Sequence, residues 1–135
     1  MLGPTAHDGL AAETEVVGRR YRCRDCAAVC MVTPAGVRAG RRYLWPSVTL
    51  ALALWSLREL PALAVRVRIS PFTILGPSVT GWASLRRWAR AYGLGEGSLR
   101  DRARRYVMQV LGRSSLSAQQ FAIEARIYSA SLHPA

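Results

Sequence analysis

The 135-residue chain has no lysine, no asparagine, only two histidines and only eight acidic residues. The two histidines, His7 and His133, lie near opposite ends, and the carboxylates are scattered. Two-metal phosphoryl transfer needs converging carboxylates. Glu59, Glu96, Asp101 and Glu124 show no such spacing, and each fits a helix end or a surface. A nucleophilic cysteine would need His7 or His133 beside it, and nothing in the order of residues places one there. The expectation is a protein that is not an enzyme and has no small-molecule substrate.

Long apolar runs are missing too. The two longest uncharged stretches, 43–57 and 69–85, fall short of the roughly 20 residues a spanning helix needs, and Pro46, Pro71 and Pro77 interrupt them. No basic segment followed by an apolar one opens the chain, so no signal peptide is expected. The three cysteines all fall within Cys23–Cys30, which is not a secreted disulfide framework. A reducing cytoplasm is the expected location, with no membrane partner.

What the sequence has in excess is arginine. All 19 basic residues are Arg, and the net charge is +11. Half the residues are hydrophobic, so the chain can bury a core. A surplus of positive charge on a folding domain points to a polyanionic partner. The charge comes in blocks. Residues 1–18 carry three acids and no base, 19–42 carry seven Arg and one Asp, and 81–105 carry seven Arg and two acids. The middle, 43–80, is apolar and nearly neutral.

Residues 1–14 read as a loose leader, 15–42 as a hairpin with a basic link, and 43–135 as a helical domain. β-branched and aromatic residues predict strands over Glu15–Arg22 and Ala28–Val32, closed off by the turn Thr33-Pro34-Ala35-Gly36. Ser47 to about Leu60, apolar nearly all round, predicts a central buried helix stopped by Pro61. Residues 62–68 fit a short helix or an extended segment, and 70–80, with two prolines, a long loop. Trp82, Leu85, Trp88, Ala89 and Tyr92 recur at helical spacing, predicting a helix over Gly81–Tyr92 with Arg86, Arg87 and Arg90 off the apolar stripe. Gly93-Leu94-Gly95 breaks it. Ser98 and Asp101 form a capping box for the next helix, whose stripe is Leu99, Ala103, Tyr106, Val107, Val110 and Leu111. Ser117 and Gln120 open a last helix with Phe121, Ala125, Tyr128 and Leu132 on one face.

Cys23-Arg24-Asp25-Cys26 is the sharpest local motif. Two thiolates at this spacing on a tight turn can share one Zn²⁺. They make half a site, with Cys30 as a candidate third ligand and His7 as a candidate fourth. The alternative is a knuckle that keeps its turn without metal. A redox site lacks the surrounding βαβ pattern, and an iron–sulfur site lacks a fourth thiolate.

Arginine's planar fork suits phosphate or the guanine edge, so a helix with an aromatic inner face and Arg86, Arg87 and Arg90 outside fits a major groove, with Ser84 alongside. The plainer alternative is a solvated face. Arg100, Arg104 and Arg105, with Arg41 and Arg42, suit phosphate contacts rather than base reading. The four Trp residues fit a core better than stacking platforms.

The run Tyr21-Arg22-Cys23-Arg24-Asp25-Cys26, the Pro34 turn, Arg41-Arg42-Tyr43 leading into an apolar helix, and the stretch from Thr80 to Trp88 together resemble a known leader. It is the N-terminal zinc-ribbon and helix-turn-helix leader of bacterial insertion-sequence transposases and of related stand-alone mobile-element proteins. The likeness spans about residues 19–92. The first knuckle of such a ribbon and the three-carboxylate catalytic domain have no counterpart here. The resemblance implies the targeting half of such an enzyme without its cutting half.

The expected protein is therefore mainly α: a helical bundle with a helix-turn-helix-like unit, preceded by a short zinc-ribbon-like β-hairpin. Its expected function is double-stranded DNA binding. The alternative is an interaction subunit that docks its apolar middle and last helix onto a partner protein or a second copy. An RNA partner stands third, because charge does not distinguish RNA from DNA.

Overall fold

The computed structural model describes residues 2–4, 11–13, 15–34, 37, 42–70, 81–117, 119 and 122–132. The chain is mainly helical, with two small antiparallel hairpins ahead of five helices. The stretch expected as a loose leader is a correction: β1 (Leu2–Pro4) pairs with β2 (Ala11–Glu13), Leu2 opposite Glu13, and β1 packs against the first two helices. These strands are three residues each, too short for an alternating pattern to show in the sequence.

The second hairpin stands where the sequence predicted strands, but it is shorter. β3 (Arg19–Arg22) pairs with β4 (Val29–Val32), with Arg19 opposite Val32 and Tyr21 opposite Cys30. The Cys23 N–H donates to Ala28 O at 2.8 Å, and Ala27 takes a left-handed φ of 60°, which together close the turn. The whole stretch 17–32 is exposed, so its apolar side chains join no core.

The first helix, α1 (Trp45–Ser56), starts two residues earlier than expected and stops before Leu60. Pro46 sits in its first turn, where the missing N–H has no partner to lose. Ala53 O accepts from both Leu57 N and Arg58 N, and Leu54 O accepts from Leu60 N. Glu59, at φ 54°, then turns the chain into Pro61. The all-round apolar sequence has its expected consequence. Val48, Leu50, Ala51, Leu52, Ala53 and Leu54 are buried, and every other helix packs on α1. Its buried hydroxyls are partnered: Ser56 donates to Leu52 O at 2.7 Å, and Thr49 lies 3.3 Å from the Tyr106 hydroxyl.

The stretch left open between helix and extended chain is helical. In α2 (Ala62–Ile69), Val65 and Ile69 lie one turn apart and are buried, while Val67 is exposed. The loop expected over 70–80 falls, after Ser70, outside the described residues. Helix α3 (Ala83–Tyr92) buries Leu85, Trp88 and Ala89, with Trp82 buried at its N-cap. Tyr43, Trp82 and Trp88 form an edge-to-face cluster with centroids 5.0–6.0 Å apart. The Tyr43 hydroxyl donates to Ser70 at 3.3 Å, so this cluster ties the basic link to the ends of α2 and α3.

Helix α4 (Leu99–Leu111) follows a six-residue link. The capping box forms: Asp101 N–H donates to Ser98 Oγ at 3.2 Å, and Ser98 Oγ–H donates back to the Asp101 carboxylate at 2.5 Å. Ala103, Val107, Val110 and Leu111 are buried, and the Tyr92 and Tyr106 rings stack at 5.8 Å. The last helix, α5 (Ile123–Leu132), differs from expectation. It begins after Ser117 and Gln120, and its inner face is set by Ile127 and Ala130 with Ile123 partly buried, while Ala125 is exposed. The side chains of Phe121, Tyr128 and Leu132 lie outside the described residues. Among the described residues no helix is long and apolar enough to cross a membrane.

Candidate nucleic-acid interface

The clearest charged surface is the outer face of α3. Burial of Leu85, Trp88 and Ala89 fixes the rotation of the helix. At 100° per residue that sends Arg86, Arg87 and Arg90 away from the core, and all three are exposed. The helix carries no acidic residue, and among the described residues none of the three guanidiniums has a partner. Arg86 and Arg90 are one turn apart, about 6 Å along the face. Ser84 is half-buried on the flank, not on the arginine face.

The other arginines divide by what they touch. Arg104 is exposed and without a partner among the described residues. Arg100 lies over the Trp55 ring at 5.2 Å, a cation–π contact that leaves its outer edge in solvent. Arg105, expected to meet phosphate, is turned inward. Its Nε donates to Leu94 O at 2.9 Å and its terminal nitrogen to Glu96 O, so it holds the α3–α4 link. Arg102, which the sequence did not single out, supports the same link by donating to Gly93 O at 3.3 Å. Arg42 is exposed and follows directly on the masked end of the link; it adjoins Tyr43, whose ring packs against Trp82 and Trp88 at the base of α3. Arg41 lies outside the described residues.

Sequence reasoning assigned no role to Arg19, Arg20, Arg22 and Arg24. All four are exposed on the β3–β4 hairpin. The signal was present as the basic block 19–42, but the residues were not separated from the knuckle they surround.

At that knuckle Cys23 and Cys26 are exposed free thiols. The Cys23 thiol is held below its ordinary value, first by the backbone N–H of Cys26, then by that of Asp25 and by the Cys26 side chain. Cys30 sits on β4 opposite Tyr21, and the structure does not gather it with the pair. No group of three or more His, Cys, Asp or Glu suited to a metal occurs among the described residues. His7 lies outside them.

Comparison with protein-family models, with curated proteins and with solved structures gave no match.

Proposed function

We propose that the chain is a double-stranded DNA-binding module in which α3 approaches the major groove. The observation that carries this reading is the unpartnered Arg86/Arg87/Arg90 face on a helix anchored from behind by Trp82, Leu85 and Trp88. A ten-residue helix is about 15 Å long, and the major groove is about 12 Å wide. The 6 Å step from Arg86 to Arg90 spans about two base steps of roughly 3.4 Å. The rigid seat matters because ordering long side chains opposes binding, and a fixed helix leaves only the arginines to be ordered. Arg104 and Arg42 would neutralise backbone phosphates, and Arg100 its share from its perch on Trp55. The leader-like order of knuckle, basic link and helices agrees with this reading, as does a helix-turn-helix-like use of α3.

The competing interaction-subunit reading relied on the apolar middle as a docking surface. That segment is α1, which the chain's own helices bury.

The test is fluorescence anisotropy of the purified chain against labelled random duplex, single-stranded DNA and an acidic protein. Duplex binding in the micromolar range, weakened at least tenfold by Arg86→Ala/Arg87→Ala, is expected. Equal affinity for duplex and acidic protein contradicts a groove-reading helix.

A further inference from the structure

The β3–β4 hairpin holds two thiols in an arrangement that the DNA reading does not use. The turn between them is fixed by the Cys23-to-Ala28 backbone bond and by the left-handed Ala27. Backbone N–H groups of Cys26 and Asp25 point at the Cys23 sulfur and favour its thiolate form. Two thiolates so placed form a chelating pair for a thiophilic ion. Structural zinc takes four ligands, and this chain supplies two at the knuckle.

Cys30 does not complete the set. Cys23 stands opposite Ala28, and Cys30 opposite Tyr21, so Cys30 is a diagonal neighbour of Cys23 at about 7–8 Å between backbones. Two sulfurs on one tetrahedral zinc stand about 3.8 Å apart, from a Zn–S distance of about 2.3 Å. Meanwhile the hairpin is uncovered: every residue from Val17 to Val32 is exposed, including Tyr21, Val29, Met31 and Val32, each more than half accessible.

We propose that Cys23 and Cys26 are one half of a tetrahedral zinc centre whose other half is the same pair from a second copy of the chain. The ion lies on the two-fold axis, and each copy presents the same surface to the other. The charges favour this partner. Four thiolates around Zn²⁺ give a centre of net −2, which offsets the repulsion between two arms that each carry Arg19, Arg20, Arg22 and Arg24. Forming the centre releases the thiol protons to solvent, so it strengthens as pH rises. The closed pairing also covers exposed apolar residues of the hairpin, which a lone chain leaves in water. This inference goes beyond DNA binding and does not depend on it.

The test is titration of the full reduced chain with Zn²⁺, and separately with Co²⁺, followed by native mass spectrometry and sedimentation. The mass doubles, one ion is retained per two chains, and a chelator restores the monomer. The Co²⁺ form shows the intense visible bands of a tetrahedral four-sulfur site. Cys23→Ser/Cys26→Ser stays monomeric and metal-free with an unchanged helical circular dichroism signal, because the hairpin lies outside the core. Cys30→Ser behaves like the native chain. One ion per monomer overturns the proposal, as does failure to retain an ion. So does a dimer that survives chelation or the double substitution.

Discussion

Neighbouring arginines on α4 have different work, and what each touches decides it. Arg104 has no partner among the described residues, whereas Arg105 donates to two carbonyls of the α3–α4 link. Substituting Arg105 leaves those carbonyls to solvent and frees the link. Arg105→Ala is expected to lower unfolding free energy by about 1 kcal/mol, the usual net worth of an exposed hydrogen-bonded group. Arg104→Ala is expected to change stability by less than about 0.5 kcal/mol and to act on DNA affinity alone. Urea denaturation of both variants beside duplex binding separates the two roles. At the start of the same helix, the hydrogen bond from Ser98, with Arg105 and Arg104 nearby, holds the Asp101 carboxyl below the ordinary range. A lowered folded-state value means the stabilisation is complete above the unfolded value of about 3.9 and fades as pH falls through the folded one. Ser98→Ala is expected to cost about 1 kcal/mol at neutral pH and to flatten the acid side of the stability profile. A thermal melt series from neutral to acidic pH checks it, and an unchanged acid slope contradicts it.

Elements meet most closely where α3 ends against α4. A Cβ on Gly93 would stand 2.3 Å from Ala89 O and 2.8 Å from the Arg102 Cβ. Gly93→Ala must therefore push the two helices apart, at about 1–3 kcal/mol. Loss of Tyr92–Tyr106 stacking should show in near-ultraviolet circular dichroism, and an unperturbed spectrum with native stability contradicts the close approach. The sequence made α3 legible because five apolar residues repeat at helical spacing, and it made the α4 start legible because Ser98 and Asp101 form a local device. It left α2 open because Val65-Arg66-Val67-Arg68-Ile69 alternates, so burying Val65 and Ile69 fits both a strand and one helical turn. Packing against α1 decides for the helix. The phase of α5 was missed because Ile123, Ile127 and Ala130 compete with an equally spaced set one register away. The role of Arg105 was out of reach of any local pattern, since its partners are backbone atoms nine and eleven residues earlier.

On the scale of the whole molecule, one buried helix organises the rest, and the charge lies outside it. α1 spends its apolar surface on the chain's own helices, so the +11 surface, rather than an apolar face of the bundle, is the molecule's main means of attracting a partner. The knuckle arm adds four exposed arginines to that field. Binding by such a surface releases counterions, and log Kd follows log salt with a slope of about 0.9 for each phosphate neutralised on a duplex. Removing three arginines that face phosphates or bases should then remove up to about 2.7 from that slope. The most direct measurement is duplex affinity across a salt series for the native chain and for Arg86→Ala/Arg87→Ala/Arg90→Ala, with folding of the variant checked by its thermal melt. A steep native slope that drops by about two or more in the folded variant is the predicted result. An unchanged slope in a folded variant would contradict α3 as the DNA-facing helix.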